Sequence, residues 1–128
     1  MKKRLFLLIL ASLFLVSGLF VSCSEKKLEF YDDPIKITVT VVYEDGISKD
    51  YNISTKHAIL KGALVENNLI TGEETKNGYF VKAVDGITAD YATDGAWWSF
   101  YQNDAMCMEG VDTLVIRDGD VIKIVYSK

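Results

Sequence analysis

Ile35, Ile37, Val39 and Val41 alternate with Lys36, Thr38 and Thr40, a period of two in mostly β-branched residues that predicts a strand with one buried face. Asp45-Gly46 comes next as a hairpin turn signal, since glycine accepts a positive φ, and Ile47 to Ile53 reads as the returning strand. The period then changes. Ile59, Leu60, Ala63 and Leu64 form one apolar stripe of a helix, which Ser54 or Thr55 can cap and which ends near Asn67-Asn68. Gly62 within it costs about 1 kcal/mol relative to alanine, which points to a close approach between the helix backbone and the sheet.

Thr71 to Gly78 is polar and glycine-bounded, so an exposed loop is expected there. Tyr79 to Val84 reads as a third strand ended by Asp85-Gly86, and Ala96 to Gln102 as a fourth, dense in aromatics. Val121 to Tyr126 is the last, behind an Asp118-Gly119-Asp120 turn. The order β-β-α-β-β-β predicts a two-layer α+β domain, one helix packed on a mixed sheet of about five strands, with β-grasp the best match.

Ahead of these elements Lys2, Lys3 and Arg4 precede an apolar run from Leu5 to Val21, and Ser22 stands before Cys23. That order of charge, apolar run and small residue makes a leader that carries the rest of the chain across a membrane. Leu19-Phe20-Val21-Ser22-Cys23 resembles the bacterial lipoprotein signal, which implies a diacylglycerol on the Cys23 thiol and cleavage that leaves Cys23 first; Phe20 stands where that pattern usually has leucine. The other reading of the run is an uncleaved anchor helix, since it approaches the roughly 18 to 20 residues that span a bilayer. The expected organisation is a leader over 1–22, a lipid-anchored Cys23 and tether over 23–34, and one domain over 35–128 on the extracytoplasmic face of the cell membrane.

Charge and cysteine content narrow the partners. Of 14 basic side chains three leave with the leader, so 11 face 18 acidic ones, a net charge of −7. Nucleic acid is not an expected partner, because its phosphates need a basic face. With Cys23 consumed by lipid, Cys107 has no partner for a disulfide and, between Met106 and Met108, reads as a small buried hydrophobe rather than a reactive thiol.

The segments YFVKAVDGI, AWWSFYQND and EGVDTLVIRDGDVIKIVY resemble the transcobalamin C-terminal-like domain family, over roughly residues 35 to 128. Val84-Asp85-Gly86-Ile87, the strand Trp97-Trp98-Ser99-Phe100-Tyr101, and Gly110-Val111-Asp112 leading to Asp118-Gly119-Asp120 carry the likeness. It implies the β-grasp fold. Through the vitamin B12 carriers that name the family it also implies a cobalamin-like corrinoid as ligand, although those carriers close on it from a helical barrel as well, and these 128 residues hold no barrel.

Alternation in the aromatic strand sends Trp98 and Phe100 to one face and Trp97, Ser99 and Tyr101 to the other. The first pair is expected in the core. The second set then lies on an open sheet face, where aromatic rings suit a ligand, unless residues 87–95 or 103–115 fold over them. Tyr91, Asn103, Met106 and Met108 flank the strand and are candidates for the rim. His57 is the only histidine; a metal site needs several ligands, and nothing in the spacing sets His57 beside Cys107 or a serine as a nucleophile-base pair. Asp118/Asp120 and Asp90/Asp94 sit beside glycines as turn formers, without the regular ligand spacing of a calcium loop. The expected protein is a non-enzymatic binder of a small molecule, centred on Trp97 and Tyr101, with no cofactor and no metal. The alternative is a module that presents its aromatic face or sheet edge to a surface protein or transporter subunit.

Overall fold

The computed structural model describes residues 29–128. The leader, Cys23 and the first part of the tether lie outside the described residues. The first strand, β1 (Phe30–Val42), starts ahead of the expected Ile35 and takes in the end of the expected tether, with an irregularity in pairing between Phe30 and Ile35, where Pro34 has no N–H to donate. Ile35, Ile37, Val39 and Val41 are buried. A turn at Asp45-Gly46, with Gly46 at φ 84, returns the chain as β2 (Ser48–His57).

The end of the chain completes the main sheet. β8 (Val121–Ser127) pairs with β1 in parallel, β6 (Trp97–Gln102) lies antiparallel on β8, and the two-residue β7 (Ala105–Met106) closes the order β2-β1-β8-β6-β7. First and last strands side by side and parallel at the centre of a mixed sheet are the β-grasp arrangement. A second sheet, β3 (Ile70–Thr75), β4 (Gly78–Val84) and β5 (Ile87–Thr88), and a single turn α2 (Tyr91–Asp94) fill the middle of the chain.

The helix α1 (Leu60–Glu66) begins later than Ser54 or Thr55 would place it, because β2 runs on through both. Thr55 is buried and donates instead to Glu66 Oε2 at 2.9 Å. No side chain caps the helix; its free N–H groups at Leu60 and Lys61 donate to the carbonyls of Leu114 and Val111, each at 2.9 Å. At Gly62 the close neighbour is the His57 imidazole, which occupies the space a Cβ would need. Leu60, Ala63 and Leu64 join Val39, Val41, Val84, Ile116, Ile122 and Ile124 in one core.

The expected loop from Thr71 to Gly78 is a strand for most of its length. β3 pairs antiparallel with β4 from Ile70↔Val84 to Thr75↔Gly78, and of its side chains only Ile70 is buried. Backbone pairing, not burial, makes this strand, so its composition carries no period. At Gly72 the Phe80 carbonyl fills the position of a side chain.

Candidate functional site

β8 covers one side of β6 along its whole length, but β7 covers the other side only at Tyr101 and Gln102, with the Cys107 N–H reaching the Phe100 carbonyl at 2.8 Å. Two residues earlier the Trp98 backbone N–H and carbonyl point the same way, with no strand opposite among the described residues. β4 is similar. β5 pairs with it only at Ala83 and Val84, so no strand among the described residues covers the edge along Tyr79 to Val81, where the Tyr79 N–H donates to Asp112 Oδ2 at 3.4 Å.

Between these two edges lies a cleft of about 540 Å³. Trp97, Trp98, Ser99 and Phe100 line one wall in succession, and Tyr79, Phe80 and Val81 the other. Successive side chains of a strand point to opposite faces, so an unbroken run along a wall means that the cleft meets strand edges, with backbone groups among its surfaces. Met106, Cys107, Glu109 and Val111 complete it. Tyr91 and Trp97 stand at its exposed margin, 71% and 41% accessible, with ring centroids 6.1 Å apart at 63°.

The β6 wall is firmly held. Trp98 is buried and donates its indole N–H to the Ile87 carbonyl at 3.1 Å, and its ring meets Tyr126 edge-on at 5.3 Å. Ser99 is buried, its hydroxyl 2.7 Å from that of Ser127. Burial, helped by the charge of Glu109, pushes the Cys107 thiol up, so at neutral pH it is a protonated, apolar part of the wall.

The residues expected to bind ligand divide. Tyr91, Trp97, Ser99 and Met106 line the cleft; Tyr101 and Asn103 do not. The concavity lies beside β6, between the two sheets, not on the open sheet face where the sequence places Trp97 and Tyr101, and Tyr101 sits where β7 already pairs with the strand. Asn103 and Asp104 have φ of 50 and 69, a two-residue hairpin loop. The Asn103 amide donates to Asp120 Oδ1 at 3.0 Å and its oxygen accepts the Val121 N–H at 2.8 Å, so it holds the turn. Met108, 91% accessible, is also outside the cleft lining. Tyr79, Phe80 and Val81 escaped sequence reasoning because their meeting with β6 depends on how two sheets dock, and Cys107, Glu109 and Val111 because the irregular segment after β7 carries no periodic pattern.

A second polar cluster serves the scaffold. The Tyr43 hydroxyl and the Tyr51 hydroxyl, the latter at 2.6 Å, both donate to Asp85 Oδ2 and tie the β4–β5 turn to the β1–β2 hairpin. These bonds hold the Asp85 carboxyl below the usual carboxylate range, and the carboxylate pushes both phenols up. Among the described residues no three His, Cys, Asp or Glu side chains gather as metal ligands.

Residues 57–128, which include every side chain of the cleft, match the family described as a domain of unknown function, DUF4430. The chain belongs to the DUF4430 family. Among solved structures, a Ruminococcus gnavus protein provisionally described as metal binding is 28% identical to this DUF4430 chain, with a TM-score of 0.69 over 73% of this chain and 97% of that one. Haptocorrin, crystallised in complex with Cbi, superposes with a TM-score of 0.64 at 19% identity over 84% of this chain, which spans 28% of haptocorrin's length. That likeness shows the fold, and it is the fold that the transcobalamin-like resemblance implied. No curated protein matches the DUF4430 chain in sequence.

Proposed function

We propose that this DUF4430 protein is a lipid-anchored extracytoplasmic binding module, without catalytic activity, that holds a small molecule against the aromatic walls of the cleft between its two sheets, a cobalamin-like corrinoid being the specific candidate. The observation that carries the proposal is the cleft itself: about 540 Å³, within the roughly 300 to 1,000 Å³ usual for ligand pockets, aromatic on both walls, with open strand edges to orient polar groups. The haptocorrin likeness lends the corrinoid its place as candidate, and Leu19 to Cys23 support the anchor. Titration with cobalamin and cobinamide, followed by tryptophan fluorescence, tests it. Saturable quenching with a Kd near 10 µM, about −7 kcal/mol, is expected, weakened in Trp97→Ala; no quenching by either removes the corrinoid. Labelled palmitate incorporated in the wild type and lost in Cys23→Ser tests the anchor.

A second reading has its own support. Open edges on β4 and β6 are the surface on which a partner protein adds a strand. Capture of a transporter subunit or surface protein from membranes, lost in Trp97→Ala and without any small-molecule binding, would favour it.

A further inference from the structure

We infer that the cleft between β4 and β6 selects organic cations, molecules with a protonated or quaternary amine on a flat apolar body, and rejects anions of the same shape. This rests on the ligand-binding reading above and names the charge class of that ligand, whatever its ring system.

Three observations converge. Glu109 is the only charged side chain in the lining, which contains no lysine, arginine or histidine. It is exposed and makes no ion pair or hydrogen bond through its side chain among the described residues. Its charge nevertheless reaches the wall, where it contributes to keeping the Cys107 thiol protonated.

The second observation is the aromatic surface. Tyr79, Phe80, Tyr91, Trp97, Trp98 and Phe100 all contribute, and the face of an aromatic ring carries negative potential that attracts a cation within about 6 Å. The molecule already makes this contact nearby: Lys61 Nζ lies 4.5 Å from the centroid of the Tyr79 ring.

The third concerns that lysine and Lys82, the basic side chains beside the Tyr79 to Val81 wall. Lys61 is bound in an ion pair to Glu74, and Lys82, on β4, is 3.2 Å from Glu73. Neither lines the cleft. An anion entering would therefore meet aromatic rings and a carboxylate with no basic side chain in the lining to receive it, whereas a cation would find both attractive.

The test uses the full chain in phosphatidylcholine vesicles, with empty vesicles as the blank, and equilibrium dialysis of two probes on one three-ring body: 10-methylacridinium, a cation, and acridine-9-carboxylate, an anion. The cation is expected to bind about tenfold more tightly, and Glu109→Gln to narrow the gap to about threefold or less with an unchanged thermal unfolding midpoint. Equal affinities, a preference for the anion, or a gap untouched by Glu109→Gln overturn the inference while leaving the ligand-binding reading intact. Failure of both probes to bind overturns the two together.

Discussion

The indole N–H of Trp98 donates to the carbonyl of Ile87 at 3.1 Å, and this bond joins β6 of the five-stranded sheet to β5 at the edge of the three-stranded one. The two walls of the cleft belong to different sheets, so their separation is set by contacts of this kind. Trp98→Phe keeps most of the buried ring but leaves the Ile87 carbonyl without its donor. A loss of about 1–2 kcal/mol is expected, read by urea unfolding, together with faster amide exchange along β5 and β6. Unchanged exchange would mean that the bond does not hold the walls.

Gly62 and His57 form a coupled pair. Alanine favours a helix over glycine by about 1 kcal/mol, yet Gly62→Ala places a methyl in the space of the His57 imidazole, and a net loss of about 1–2 kcal/mol is expected from overpacking. In a His57→Ala background the same change becomes neutral or stabilising. A double-mutant cycle with additive energies would contradict this account.

Acid stability depends on Asp85. Hydrogen bonds from Tyr43 and then Tyr51 depress its folded pKa, so its contribution is present above the unfolded value of about 3.9 and is lost as pH falls through the lower folded value. Asp85→Asn is expected to be less stable at pH 7 and to show a shallower decline below about pH 4. Asp120 behaves alike: burial pushes it up, but bonds from Asn103, the Arg117 N–H and Gln102 outweigh that, and the net direction is down. The Asp85→Asn/Asp120→Asn pair should flatten the acid limb further. An acid limb identical to wild type would exclude both carboxylates as its source.

Asn103 separates scaffold from site. Asn103→Gly keeps the positive φ and removes the two side-chain bonds, so about 1–2 kcal/mol of stability should be lost. Asn103→Ala should lose more, since it adds backbone strain. Ligand affinity, measured well below the unfolding midpoint, should not change in either variant; a change there would return Asn103 to the binding site.

The legible part of the sequence is the part where a period meets a buried face. The isoleucines and valines from Ile35 to Val41 face one core, and alternation separates Trp98 from Trp97, but it also puts Ser99 on the open face, where the structure buries it, and Phe100 in the core, where it is half-buried. β3 was hidden because Gly72 to Thr75 are exposed, so that no side-chain pattern records the pairing. The helix start was misplaced for a different reason: Thr55 has the chemistry of a cap but spends it on Glu66, while the backbone of residues 111–114 does the capping. Four of the seven residues expected at the site or its rim do line the cleft, because strand neighbours stay neighbours in space. The opposite wall lies 16 or more positions away in sequence, and local patterning cannot bring it near.

The central pairing of the molecule joins Thr38 to Val121 and Val42 to Val125, the two ends of the domain. Neither the β1–β2 hairpin nor the middle segments can complete the large sheet before its final strand is available, and contacts so distant along the chain make for slow closure. Until then Val39 and Val41 lack the partners that bury them. A polypeptide built in this way leaves its largest sheet unfinished until its last strand has been made, so synthesis and final shape end together.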